Sequence, residues 1–281
     1  MKLLSIDLED WFHILDHPQT AYPEQWLGFE SRIEKNARRI LNILDEADVS
    51  VTWFVLGWVA EKYPALVREI SLKHEIACHS NKHELVYKQS RHGFKADCLE
   101  AKARLEDVVS KPVSVYRAAG FSITPECTWA FEVLLECGFT TDSSVFPASR
   151  NHGGFPSFPS ASPCRIELSN GILKEFPVSV SSLFGKKIVN AGGGYFRLLP
   201  YSLIRKMLND SVYVMSYFHP RDFDPGQPLL KSLPLKRKLM SYYGLKGAEK
   251  KFVALLKDFE WTDLRNADKL TDWNNVPLVK I

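Results

Sequence analysis

Apolar and polar positions along this chain repeat with two periods that take turns. KLLSID, residues 2 to 7, is an apolar run of strand length, and residues 34 to 48 then place Ala37, Ile40, Leu41, Leu44 and Ala47 on one helical stripe. VSVTWFVLG, residues 49 to 57, is rich in β-branched and aromatic residues, as an interior strand would be. YPALVREISLK, residues 63 to 73, supplies the next helix. EIACHS reads as a strand, residues 96 to 109 as a helix, and residues 113 to 118 as a strand behind Pro112. Residues 125 to 137 are again helical, with Gly138 as the stop. VYVMSYF, residues 212 to 218, is one more short apolar run. Strands separated by amphipathic helices predict parallel β-α units, hence an α/β domain built as an open doubly wound sheet or a barrel.

In both architectures chemistry gathers at the carboxyl ends of strands. The polar groups placed there are Asp7, Glu9 and Asp10 after the first strand, His79 and His83 after the third, Arg117 after the fourth, and His219 after the late run. Residues 147 to 170, rich in Pro, Gly and Ser, break the alternation and predict a long irregular loop over one mouth of the fold, a substrate-side insertion.

Composition changes this picture little. At 281 residues and 45% hydrophobic, the chain can bury one large core, and we expect a single domain over residues 1 to 281. A net charge of +3 is too mild to imply a nucleic-acid partner. The first ten residues carry acids and lack a long apolar run, which predicts a cytoplasmic protein. Cys78, Cys98, Cys127, Cys137 and Cys164 are odd in number and lack CxxC spacing, so they read as reduced thiols. Residues 231 to 251 hold seven Lys or Arg and only Glu249 as acid, beside an amphipathic stripe of Phe252, Leu255, Leu256 and Phe259. A solvated face or a peripheral contact with anionic lipid would each suit that pattern.

HEIACHSNKHEL, residues 74 to 85, sets His79 and His83 four apart, a spacing that presents both rings to one point if the chain turns between them. Alone the pair is weak, but the carboxylates of DLED complete two imidazoles and one hard anionic ligand, the set of a catalytic metal with an open position.

These stretches together resemble the NodB-homology polysaccharide deacetylases, carbohydrate esterase family four. SIDLED is similar to the family's aspartate-rich first strand, TWFVLGWVAEKYPALVREI to its ATFFVLG and following helix, HEIACHSNKHEL to its HExxxHSxxH, YRAAGFS to its arginine motif and YFHPRD to its late histidine motif. The match spans most of residues 2 to 224. DLEDWFH and NAGGGYFRLLPY, residues 190 to 201, further resemble a branch found in bacterial exopolysaccharide and surface-glycan loci.

The resemblance implies a distorted (β/α) barrel of the NodB-homology type, core residues 2 to 224, with a C-terminal helical extension over residues 225 to 281. It implies a hydrolase that removes an acetyl group, most often N-acetyl, from a sugar in surface polysaccharide biosynthesis. Asp7 would be the general base, His79 and His83 metal ligands, and His219 the general acid. The third ligand would be Glu9, which strand alternation favours, or Asp10, which a bulge or turn at the strand end would favour. Zinc is the default cation, with cobalt, nickel or iron also suited. Arg117 would hold Asp7, and the backbone N–H of Gly120 would meet the oxyanion, although Ala119 stands where the family usually has proline. Asp142 would tune His219 or cap a turn. Tyr195, Phe196 and Arg197 would form a substrate-facing loop or a glycine-rich hairpin, with Trp11 lining the cleft. The substrate partner would be an N-acetylated sugar or glycan. Two rival readings use the same residues: a small-molecule amide hydrolase or de-O-acetylase, and an inert sugar-binding relative.

Overall fold

The computed structural model describes residues 1–183, 185–189 and 191–281, and of Leu183 and Lys186 the backbone only. Asn190, the first residue of the NAGGGYFRLLPY stretch, therefore lies outside the described residues. Among the described residues twelve strands run in chain order: β1 Lys2–Leu3, β2 Ser5–Leu8, β3 Thr52–Val55, β4 Glu75–Cys78, β5 Val115–Tyr116, β6 Thr141–Asp142, β7 Cys164–Leu168, β8 Gly171–Glu175, β9 Val180–Leu183, β10 Lys186–Val189, β11 Val214–Met215 and β12 Leu278–Lys280.

The main sheet has the order β12-β7-β8-β6-β5-β4-β3-β2, parallel except for the β7–β8 hairpin. Beyond its β2 edge, β11 pairs in parallel with β1, and Phe218 bridges Ile6. After β8 the chain turns back toward β11, where the Met215 N–H donates to Ser179 Oγ at 2.7 Å. The sheet thus curls into a small, irregular (β/α) barrel, with β7 and β12 added outside it. Strands β2 to β5 are short and almost wholly buried because helices cover their outer faces, which is why they read as apolar runs without alternation.

The helical stripe at residues 34 to 48 forms the helix Ile33–Glu46, which buries Ile33, Ala37, Ile40, Leu41 and Leu44. Residues 147 to 170 are irregular only as far as Pro163; Cys164–Leu168 then forms β7, paired antiparallel with β8. The loop prediction overran because Ser and Pro dominate the window up to the strand's first residue. The C-terminal segment ends in strand β12 beside β7, and it shares the main core instead of extending from it. In the helix Leu245–Asp258, Phe252 packs 5.1 Å from Phe218 and 4.9 Å from Phe223, ring centre to ring centre. Burying such a side chain contributes roughly 2 kcal/mol. The apolar face that could have met lipid is therefore occupied. No helix among the described residues is long and apolar enough to cross a membrane.

At the opposite mouth from the strand carboxyl ends, Glu75 starts β4 and accepts hydrogen bonds from Thr52 Oγ1 (2.6 Å) and the Arg265 N–H (2.9 Å). Burial dominates and pushes its carboxyl up from 4.5 to about 7. An acid whose folded pKa is raised adds stability that is complete below its unfolded value and disappears as pH rises through the folded one. Glu75→Gln is expected to remove that loss. The stability difference between variant and wild type should grow between pH 4.5 and 7 by on the order of 1 kcal/mol, read by urea denaturation at several pH values. A difference independent of pH would refute it.

Candidate active site

The site is assembled at the carboxyl ends of β2, β4 and β5 and at the turn following Phe218. Arg117, just past β5, is fully buried and almost fully used as a donor. Its Nη1 donates to Asp7 Oδ1 at 2.7 Å and to Ser5 Oγ at 2.8 Å, its Nη2 to Ser143 Oγ at 3.0 Å and its Nε to the Ser143 carbonyl at 3.2 Å. The guanidinium also lies 3.8 Å above the Phe54 ring. A planar fork fixed by four acceptors gives Asp7 one orientation, which a flexible lysine could not do.

Glu9, His79 and His83 offer donor atoms that all lie within 4.8 Å of one another, and all three residues are buried. The backbone turns after β2, with the Glu9 N–H donating to the Asp7 carbonyl at 2.9 Å, and this brings the Glu9 carboxylate to the histidines. Asp10 takes a different course: its carboxylate accepts from the Arg32 N–H (2.9 Å), the Ile33 N–H (3.2 Å) and Ser31 Oγ (2.6 Å), so it caps the helix Ile33–Glu46. Of the two alternatives, only Glu9 faces the imidazoles.

The loop carrying the histidines is strained and pinned. Ser80 (φ 67°) and His83 (φ 55°) are left-handed, the His83 N–H donates to Ser80 Oγ at 3.0 Å, and buried Asp97 accepts the Asn81 and Lys82 N–H groups at 2.8 and 3.2 Å. Left-handed non-glycine residues persist only where neighbours enforce them, and they cluster at functional sites.

A cation suits this pocket on its own chemistry. His79 Nδ1 lies 2.8 Å from the Arg117 carbonyl, which can only accept, so Nδ1 carries the proton and the neutral ring turns a lone pair toward Glu9 Oε1 at 3.1 Å. Two acceptors face each other there. His83 Nε2 is 3.0 Å from the same oxygen but buried without a hydrogen-bond partner among the described residues. A positive centre between these atoms would satisfy all three, whereas a proton can serve only one pair. Burial opposes the charge on Glu9, yet the imidazoles of His83 and His219 hold its carboxyl well below the usual range.

His219 stands opposite, its Nε2 3.8 Å from Asp7 Oδ2 and 3.9 Å from Glu9 Oε1. Its partner is Asp222, one turn on, which accepts from the His219 N–H at 2.9 Å and lies 3.0 Å from Nδ1. Asp142 does not fill that role, because its carboxylate holds Ser144 Oγ at 2.6 Å and the Ser144 N–H at 3.0 Å. The carboxyl of the neighbouring Glu175 is pushed up by burial and by Asp142 beside it. Burial disfavours charge on His219, but the carboxylates of Glu9, Asp222 and Asp7 prevail and raise its pKa to about 9.

Of the residues expected to face substrate, Tyr195 lines the cleft, as does Gly120, left-handed at φ 61°. The three glycines lead into the helix Gly193–Leu198 and not into a hairpin. Phe196 belongs to the core, edge-on to Phe218 at 4.9 Å. Arg197 is buried and turned back to pair with Asp222 and the Met240 carbonyl, so it supports the His219 partner. Trp11 is buried against Phe12 and Phe29, with its indole N–H on the Glu30 carbonyl at 3.0 Å. Two participants carry no spacing signal: Ser143, which holds Arg117, and His13, a buried ring on the cleft wall whose Nδ1 accepts the Asp10 N–H at 3.1 Å. Asp222, three residues after His219, carries only the weak signal of any carboxylate in a turn.

A buried carboxylate held by arginine, a three-ligand pocket beside it and an imidazole opposite, at the mouth of a (β/α) barrel, make a site suited to hydrolysis. Residues 18–140 match the family model Polysaccharide deacetylase, and residues 143–269 match a domain of unknown function, DUF3473. Over residues 18–140 the chain is thus similar to the polysaccharide deacetylase family. A search of curated proteins finds no match. Among solved structures, a Mycobacterium smegmatis protein assigned as a polysaccharide deacetylase superposes with a TM-score of 0.62 at 19% identity, covering 98% of this chain and 92% of that one. A deacetylase solved with substrate, T48, gives 0.51 at 12%, covering 99% and 96%. A CE4 family pseudoenzyme from Bacillus anthracis gives 0.50 at 11%, covering 95% and 64%. At these identities the likeness is one of fold, and a fold that also carries a pseudoenzyme leaves activity to be argued from the site.

Proposed function

We propose that this protein removes an N-acetyl group from a sugar residue of a surface polysaccharide or its precursor, using a divalent cation held by Glu9, His79 and His83. The observation that carries the reading is the convergence of these three donors beside an arginine-held Asp7. When bound, the cation would supply Lewis acidity, lowering the pKa of a water toward ~7 and polarising the acetyl carbonyl. One carboxylate and two neutral imidazoles leave a divalent ion with a net positive charge, and zinc fits this ligand set by default.

Asp7, fixed by Arg117, takes a proton from the attacking water as the new C–O bond forms. Gly120 lines the wall where its N–H can meet the oxyanion that develops. His219 gives its proton to the sugar nitrogen as the C–N bond breaks, leaving acetate and a free amine. Asp222 orients His219 through Nδ1 and thereby presents Nε2 to the cleft. With a cation neutralising part of Glu9, His219 loses some of its upward shift and becomes a better donor near neutral pH.

The test is release of acetate from a panel of N-acetyl sugars by zinc-loaded protein. Asp7→Asn is expected to cut turnover by ~10²–10⁴-fold with zinc still bound, checked by metal analysis of the same sample. Full activity in that variant, or no acetate from any substrate with the wild type, would reject the mechanism.

A further inference from the structure

The catalytic groups lie in a cleft of about 470 Å³, a size suited to a small ligand or part of a larger one. Its charge is unbalanced. Six Arg or Lys line it against three carboxylates, Asp7, Glu9 and Asp222. Asp222 is paired with Arg197, and Asp7 is held from behind by Arg117, so neither neutralises the rest of the wall. The other five cations, Arg150, Lys187, Arg221, Lys236 and Arg237, have no carboxylate within ion-pair distance among the described residues.

These five come from four separate segments: the loop after Phe146, β10, the turn Pro220–Phe223 and the helix Leu235–Tyr242. Several are fixed by neutral groups. Arg150 stacks 4.6 Å above Phe146 and 5.0 Å from Phe121, with Nη1 donating to Tyr217 Oη at 3.2 Å. Arg237 donates to the Leu15 and Asp16 carbonyls at 2.5 and 3.1 Å, and Lys187 to the Pro147 carbonyl at 2.9 Å. Arg221 donates from Nη1 to the Trp11 carbonyl at 3.2 Å, while its Nη2 is buried with no acceptor among the described residues. Asp16, the acid in the same loop, is occupied by Lys88 and His152. A buried guanidinium nitrogen without an acceptor is costly, and like charges gathered from four segments repel. Both are relieved by an anion entering the cleft.

We propose that the acetylated sugar taken by this cleft carries a negative charge of its own, a phosphate or a carboxylate, which the basic wall receives while the acetyl group faces His219. This rests on the deacetylase reading above and adds the substrate's charge. A neutral chitin-like oligomer would leave the five cations unpaired, whereas a sugar phosphate or a uronate-bearing glycan pairs them.

The experiment compares acetate release by the zinc-loaded full chain from N-acetylglucosamine 1-phosphate, from an oligomer of N-acetylhexosaminuronic acid and from neutral N-acetylchitotetraose, at low and at high salt. An anionic substrate is expected to have the higher kcat/KM by about tenfold or more, a margin that shrinks with salt. Which of the two charged compounds is preferred tells phosphate from carboxylate. In the variant R150A/K236A the anionic-to-neutral ratio of kcat/KM should fall by about tenfold. Equal or better use of the neutral oligomer, or a ratio that the variant leaves unchanged, overturns the charge inference and leaves the deacetylase reading standing. If no substrate yields acetate, the deacetylase reading fails, and calorimetric binding of the sugar phosphate decides the rest. Binding that weakens with salt and in the variant supports the anion site, and no binding overturns it.

Discussion

His83→Ala is expected to abolish both zinc binding and acetate release. His83 supplies one of three donors within 4.8 Å of one another, and among the described residues its Nε2 has no hydrogen-bond partner to compete with a cation. Loss of a mere supporting partner of a metal ligand costs about 10–100-fold in affinity, so loss of a ligand should exceed about a hundredfold. Turnover should fall by at least ~10³-fold at saturating substrate. The wild type should gain about 3 kcal/mol of stability at a zinc concentration a hundred times its Kd, by mass action, and the variant should gain nothing. The metal-free stabilities should stay close, because truncation removes an unsatisfied buried nitrogen along with some packing. A variant that keeps zinc-dependent stabilisation or acetate release would remove the basis for the cation site.

Arg117→Met is expected to damage folding and catalysis together. The substitution removes a fully buried cation whose four hydrogen bonds join Asp7, Ser5 and Ser143, and it leaves Asp7 buried beside a methyl group. Breaking a buried pair on one side costs about 3–5 kcal/mol. Because Asp7 also loses its fixed orientation, turnover measured well below the lowered Tm should drop by ~10²-fold or more. Arg117→Lys keeps the charge but not the planar fork, so it should recover part of the stability and little of the activity. Chemical denaturation and acetate release at one temperature check both halves. A Met variant within about 1 kcal/mol of wild type would show that the arginine's contacts contribute little.

The site was partly legible in the sequence because a strand end is a local feature. Asp7, His79, Arg117 and His219 each follow a short apolar run, so a strand reading by itself puts them at one mouth of the barrel. Glu9 and Asp10 could not be separated that way, since the choice turns on whether the chain bends after Leu8 and on a helix that begins 23 residues later. The partner of His219 was missed although Asp222 is three residues away, because nothing local distinguishes it from any other turn carboxylate. Arg197 and Phe196 follow three glycines as a recognition loop would, but the glycines open a helix whose side chains turn to Asp222 and Phe218.

The chain's periodicities, which depend only on neighbours a few residues apart, determined the alternation of strands and helices and the identity of the residues at the strand ends. Tertiary structure decided how those ends meet: which carboxylate reaches the histidines, what holds Arg117, and how cations from four segments come to line one cleft. Contacts between residues 19 to 210 positions apart depend on where every intervening element packs. No window of the sequence contains that information.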